Sequence, residues 1–285
     1  DYRRRRRSLF GNRASFGMSG PARLLIVAGS DSGGGAGIQA DIKTASALGV
    51  YAMTAVTAIT VQNTLGVTDV HPIPPAIVQA QMEACLEDIG ADAIKLGMLH
   101  SSELIATVAG VLAKYPAIPV IADPVMVAKG GSALLEESAV STLTELILPR
   151  ALVITPNTEE ASVILGEKVP HALGMIAAAA RLAEVAGTNV VLKGGHLTGA
   201  GVTNYLHTAD SALSSFVTPR IDTRNTHGTG CTLASAIASG IAAGLPLADA
   251  VAHACRFVYE AIASAPALGS GHGPINHLAA GHRLP

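Results

Sequence analysis

Short, almost wholly apolar runs separated by longer Ala-rich stretches are the feature that most limits what this chain can become. Residues 24–28, 51–59, 93–96, 120–122, 152–155 and 189–192 read as strands. Strands covered on both faces show such continuous apolar runs, whereas half-exposed strands alternate. Between them, helices are expected at 38–48, from Pro74-Pro75 to about 89, at 103–113 and at 138–148, then from 157 onward and at 176–185. Pro suits a first helical turn, where its missing N–H costs nothing. Two Ala-rich helices, 229–243 and 247–263, close the pattern, and 202–207 with 211–217 reads as an antiparallel hairpin turning near Ala209-Asp210. Strand–helix alternation of this kind implies one three-layer α/β/α sandwich with a mostly parallel central sheet. Aromatic residues make up 3% of the chain and Trp is absent, so the core must be aliphatic.

The two ends differ from the body. Residues 1–20, with Arg3 to Arg7 and Arg13, are expected to be a disordered basic extension or an expression remnant ahead of a start at Met18. Without the six arginines and one aspartate of residues 1–17, the 19 basic and 21 acidic residues fall to 13 and 20, a balance near −7. That balance argues against nucleic acid as a partner, because neutralising phosphates needs clustered Lys and Arg. No run is long and apolar enough to span a bilayer, so no membrane partner is expected. Residues 269–285 are Gly- and His-rich and read as a flexible tail, which leaves 21–268 as the folded domain. Cys85, Cys231 and Cys255 are odd in number, widely spaced and outside any CxxC pair, which suits reduced thiols in a cytoplasmic protein.

In open α/β sheets ligands bind beyond the carboxyl ends of the strands. The strongest motif there is Asn225-Thr226-His227-Gly228-Thr229-Gly230-Cys231-Thr232, followed at once by a helix. Glycines expose successive N–H groups, and a helix N-terminus adds unpaired donors and partial positive charge, an arrangement suited to a phosphoryl group. The bland reading is a turn and an N-cap. Cys231, in the first helical turn, would have its thiolate favoured by the local dipole and could accept a proton from an attacking hydroxyl. Equally, it is a small residue packed under a loop. A second glycine run, Gly29 to Gly37, lacks the Gly-Lys-Ser/Thr ending of a P-loop. No acidic residue near Ile59 supports a dinucleotide site either.

Taken together, Gly228-Thr-Gly-Cys231, Val27 to Lys43, Lys95-Leu-Gly-Met98-Leu, Asp123-Pro-Val-Met126, Thr155-Pro-Asn157-Thr-Glu-Glu160 and Lys193-Gly-Gly-His196 resemble the hydroxymethylpyrimidine/phosphomethylpyrimidine kinases of thiamine biosynthesis, within the ribokinase-like superfamily. The likeness runs in order from about Arg23 to about Ala265, with Cys231 where most ribokinase-like enzymes carry Asp. It implies ATP and Mg²⁺ as cofactors, a small aminopyrimidine alcohol as substrate, two successive phosphorylations in one site, and a homodimer. Gly228, Thr229 and Gly230 would form the anion hole, and Cys231 the catalytic base. Asn157, Lys193 and Thr226 would serve the ATP phosphates, and Glu160 and Asp123 the metal. Asn157 and Glu160 also suit a helix cap, and Asp123 with Lys193 suits a structural ion pair. Gly29, Asp41, Gln62 and Met98 would surround the pyrimidine, although Met98 also fits ordinary core. Gln62 stands where the family often has Glu, which leaves a pyridoxine or pyridoxal kinase open, and a non-catalytic ligand-binding regulator is the other alternative. Lys129-Gly130-Gly131-Ser132 reads as a flap over the phosphates.

Overall fold

The computed structural model describes residues 20–127, 131, 134–136, 138–169, 172–195, 197 and 199–278. The expected basic extension before residue 20 therefore lies outside the described residues, as do Lys129, Gly130 and Ser132 of the flap and His196 of the last motif.

Nine strands form one sheet, in the order β3-β2-β1-β4-β5-β6-β7-β8-β9. Its centre is parallel: β2 (Tyr51–Asn63), β1 (Arg23–Asp31), β4 (Ala93–Leu96), β5 (Val120–Ala122), β6 (Val153–Ile154) and β7 (Asn189–Leu192). Antiparallel strands flank it, β3 (Gly66–Pro72) on one edge and the hairpin β8 (Gly201–His207) and β9 (Leu213–Pro219) on the other. Along β1, Leu25 and Val27 enter one core and Leu24, Ile26 and Ala28 the other, because successive side chains leave opposite faces. The first core is closed by α2 (Pro75–Asp88), α3 (Ser102–Leu112), α4 (Ala139–Leu146), α5 (Thr158–Leu165) and α6 (Ala172–Ala186). The second is closed by α1 (Gly37–Ala47), α7 (Thr229–Ala242) and α8 (Leu247–Ala263). This is the expected three-layer sandwich, with the carboxyl ends of its parallel strands gathered along one rim.

Two expectations change. The second strand does not stop near residue 59: it runs to Asn63 and turns back through Gly66 into β3, which sequence pattern missed. β3 is an edge strand with no buried residue, and Thr68, Asp69 and His71 break any apolar alternation.

The segment read as a loose tail from Gly269 is packed as far as His277. His272 N donates to Thr64 O at 2.8 Å, and His227 N donates to Gly273 O at 3.0 Å. Ile275 is buried, and His277 Nε2 lies 2.9 Å from Thr232 Oγ1 in the first turn of α7. Glycines make that path possible. A Cβ on Gly271 would overlap the Thr64 carbonyl, and one on Gly273 the Asn225 side chain. Composition suggested looseness, but here glycine serves close backbone approach.

Burial, helped by the nearby Lys43 charge, pushes His277 down to about 4 from its ordinary value near 6.5. A histidine held neutral in the fold adds stability that is complete above pH 6.5 and is lost as pH falls toward 4. Urea unfolding of the wild type and of His277→Gln should therefore converge between pH 7.5 and 4.5. The change in their difference should be on the order of 3 kcal/mol at most. A difference independent of pH would show that His277 is not held neutral.

Candidate active site

A cleft of about 830 Å³ opens along the carboxyl rim of the sheet. Of the residues predicted to serve the site, Gly29, Gln62, Met98, Asp123, Asn157, Glu160, Lys193, Thr226, Gly228, Thr229, Gly230 and Cys231 all line it. Asp41 does not. Its side chain is fully buried in α1, where it accepts a bond from Lys95 Nζ at 2.8 Å and from Ser235 Oγ at 2.6 Å. A carboxylate saturated in this way lies beneath the wall, outside reach of a ligand ring.

One end of the cleft is a charged cluster at the tips of three strands. Asp123 follows β5, and its Oδ1 accepts bonds from Lys193 Nζ at 2.8 Å and Thr155 Oγ1 at 2.7 Å. Lys193 follows β7 and also approaches Glu160 Oε2 at 3.7 Å. Glu160 is fixed by a capping box: Asn157 Oδ1 accepts the N–H groups of Glu159 and Glu160, and Glu160 Oε2 accepts the Asn157 N–H at 2.8 Å. The cap reading of this motif is what the structure shows, and both residues also line the cleft. Burial pushes the Glu160 carboxyl up to about 7, and Asp123 adds to it against the pull of Lys193. Burial also works against ionised Asp123, but Lys193, Lys95 and two hydrogen bonds hold it below the usual carboxylate range.

The glycine loop sits opposite. Gly228 takes φ +83° at the N-cap of α7, and Cys231 occupies the first turn, half-buried. The expected dipole-favoured thiolate is not what the surroundings give. Burial pushes the Cys231 thiol up to about 11, although Lys95 and an N–H from Gly37 pull the other way. With Cys85 and Cys255 it is one of three free thiols.

Sequence reasoning missed the pair that joins the two glycine runs. Asp31 ends β1, and its carboxylate accepts the N–H groups of Gly33 (2.7 Å), Gly35 (3.1 Å) and Ala36 (2.8 Å). It also lies 2.8 Å from His227 Nε2, which places the imidazole proton on that nitrogen. Burial works against its charge, but the His227 bond and the N–H donors keep Asp31 below its ordinary value. The first glycine run therefore spends its N–H groups on Asp31 and cannot cradle a phosphate with them. Its task is to approach the second loop. A Cβ on Gly35 would stand 2.5 Å from the His227 ring, and one on Gly228 would overlap the Gly35 carbonyl. The available signal was an aspartate two residues before three consecutive glycines, whose N–H groups need an acceptor.

At the ring end, Met98 is nearly buried and its Sδ would lie 3.0 Å from a Cβ on Gly29. Core packing and a place on the cleft wall coincide there. Gln62 Oε1 accepts from Thr60 Oγ1 at 2.9 Å, and its amide nitrogen lies 3.4 Å from His227 Nε2. At the far end, Val202, Thr218 and Pro219 of the hairpin face Val258, Tyr259 and Ile262 of α8, giving a mainly apolar slot that no motif announced.

Fold and cleft together define a class, the ribokinase-like small-molecule kinases. The family model described as phosphomethylpyrimidine kinase matches residues 31–276, and the chain belongs to that family. It is 44% identical over 265 residues to the hydroxymethylpyrimidine/phosphomethylpyrimidine kinase of Haemophilus influenzae, covering 92% of this chain and 98% of that one. It is 48% identical over 272 residues to the thiamine biosynthesis bifunctional protein ThiED of Geobacter sulfurreducens. That match covers 95% of this chain but 55% of the bifunctional protein. Among solved structures, an ADP complex of Bacillus subtilis pyridoxal kinase superposes with a TM-score of 0.84 at 35% identity, covering 91% of this chain and 98% of that one.

Gly228 has no room for a side chain and a backbone angle that L-residues rarely adopt. Gly228→Ala keeps its N–H but must shift the loop away from the Gly35 carbonyl, and should lower turnover about 100-fold or more, the usual cost when an anion-hole donor leaves its place, while circular dichroism stays native. Gly110→Ala, on an open face of α3, should leave turnover unchanged and add up to about 1 kcal/mol of stability. Equal activity of the two variants would remove the loop from the chemistry.

Proposed function

We propose that the protein phosphorylates 4-amino-5-hydroxymethyl-2-methylpyrimidine with ATP and then phosphorylates the monophosphate to the diphosphate, as a cytoplasmic enzyme of thiamine biosynthesis. The observation that carries this reading is the placement, in one cleft, of a thiol at a glycine-loop helix N-terminus facing a Lys193–Asp123–Glu160 cluster.

In this reading the apolar slot beside α8 takes the nucleotide base, and its phosphates run toward α7. Lys193 neutralises them, and the first-turn N–H groups of α7 receive the transferring group, since they have no partner within the helix. Among the described residues, no group of three or more His, Cys, Asp or Glu side chains is placed to hold a metal. Two carboxylates and a lysine suit Mg²⁺, which is usually held by one or two carboxylates together with substrate phosphates and water. Asp123 and Glu160 would hold it, and it would supply charge neutralisation on the phosphates.

In the first step Cys231, having first lost its own proton to solvent to reach its minor thiolate form, takes the proton of the substrate hydroxyl as that oxygen bonds to the γ-phosphorus, and the bond from that phosphorus to the bridging oxygen breaks to release ADP. In the second step the nucleophile is already an anion, so Cys231 matters less. Gln62, with donor and acceptor on one amide, would read the aminopyrimidine edge. The likeness to a pyridoxal kinase, together with Gln62 in place of Glu, favours pyridoxine as the second candidate substrate.

A coupled ATP-consumption assay with Mg²⁺ should show turnover of the pyrimidine alcohol and of its monophosphate, with pyridoxine poor. Activity on pyridoxine alone would overturn the substrate, and silence on all three would leave a ligand-binding regulator. Cys231→Ala should lower the first step by about 10²–10⁴, the usual worth of a general base, and the second by far less. Equal losses in both would sink the proton-acceptor role.

A further inference from the structure

The reaction as written leaves one cation on the cleft wall without a task. Arg220 directly follows β9, lines the cleft, and turns its guanidinium onto the loop that leaves β7. Its Nε donates to Gly199 O at 2.9 Å, one terminal nitrogen to Gly195 O at 3.1 Å, and the other to Leu197 O. The backbone is tied at the same place, Arg220 N donating to Ala200 O at 2.9 Å. Gly194 N in turn donates to Asn204 Oδ1 of β8 at 3.1 Å, so both ends of this loop are fixed on the hairpin. Among the described residues no carboxylate lies within ion-pair distance of the guanidinium. Tying down carbonyls takes N–H groups but no charge, and water serves exposed carbonyls nearly as well. A guanidinium carries five N–H groups in a rigid fork, so three such bonds leave two of them for another acceptor.

Its neighbours set its place. Thr218 and Pro219, the two residues before it, are walls of the apolar slot, and Gly195, which it bonds, is two residues beyond Lys193. The guanidinium therefore stands between the slot and the charged cluster, on the path of any ligand that occupies both.

We propose that Arg220 binds the α-phosphate of the nucleotide, with its fork held ready by the carbonyls of Gly195, Leu197 and Gly199. The inference rests on the reading of the apolar slot as the site of the base. A nucleotide with its base there and its outer phosphates at Lys193 must carry its first phosphate past Arg220. A planar fork of donors suits phosphate oxygens better than a point charge does. Because three bonds already fix the side chain, little freedom is lost when the phosphate arrives.

The test is calorimetric titration of adenosine, AMP and ADP into the wild type and into Arg220→Gln, which keeps an amide donor for the loop and removes the charge. AMP and ADP should both bind more weakly by the same factor, on the order of 10- to 100-fold, the worth of a hydrogen bond to a charged group. Adenosine should bind as before. An equal loss for adenosine would make Arg220 a loop staple and overturn the proposal. A loss confined to ADP would put the contact at an outer phosphate and overturn it too, as would no loss at all. Should the variant fail to fold, phenylglyoxal modification of Arg220 in the wild type, followed on its own peptide by mass spectrometry, is the measurement. Saturating AMP should slow it severalfold more than saturating adenosine does, and equal rates overturn the proposal. Val258→Trp, which fills the slot, should weaken adenosine and AMP alike. Undiminished adenosine binding there would sink the base-site reading separately, whatever Arg220→Gln shows.

Discussion

Five ionisable side chains gathered under one rim of the sheet are the constraint on which the rest of the structure depends. Lys95 and Lys193 face Asp41, Asp123 and Glu160, and all but Lys193, which is 13% exposed, are buried or nearly so. Buried charges persist only if each is matched, and stripping one partner from a buried pair typically costs about 3–5 kcal/mol. The matching here is a property of the sheet. β4, β5 and β7 lie close in the strand order, and Lys95, Asp123 and Lys193 stand near or just beyond their carboxyl ends. The helices α1 and α5 then deliver Asp41 and Glu160 from opposite faces. Three carboxylates stand against two ammoniums, and burial, with Asp123 adding to it, pushes the Glu160 carboxyl up to about 7. A metal carried in by nucleotide phosphates would answer the same deficit.

The second organising contact is between backbones. Asp31 collects three N–H groups of the first glycine run and the His227 imidazole of the second. Two loops separated by nearly two hundred positions are thereby held against each other, with glycine at Gly35 and Gly228 because nothing larger fits. The packed segment after Leu268 bonds both the β2–β3 turn at Thr64 and the second glycine loop at His227. The two glycine loops of the cleft are thus joined through a carboxylate and a strap of backbone. Precise placement of reacting groups is where phosphoryl transfer gains most of its rate.

At several positions the structural reading of the sequence holds and the same residue also lines the cleft. Asn157 and Glu160 cap α5 and in doing so aim a carboxylate at Lys193. Asp123 and Lys193 are an ion pair and also the charged wall of the cleft. Asp41 goes the other way: it lies inside a motif of the substrate loop, yet its side chain turns into the core to balance Lys95. No spacing rule distinguishes an aspartate beside a ligand from one beneath the wall.

What the sequence determined by itself was everything carried by local pattern. Apolar runs and Ala-rich stretches set the layer order, glycine next to a helix start marked a loop that lines the cleft, and motif order pointed to the family. Only the tertiary structure decided which charges pair, that Asp31 and His227 join the two loops, that β3 adds an edge, and that the last glycines pack. The physical reason is common to all of these. Pairings such as Lys95 with Asp41 and Asp31 with His227 link residues 54 and 196 positions apart. Their energy depends on burial and on what else lies within a few ångströms, which exist only once the sheet has formed. The same holds for the Cys231 thiol: its place at a helix start argues for a thiolate, and the depth of the cleft around it decides for the protonated form.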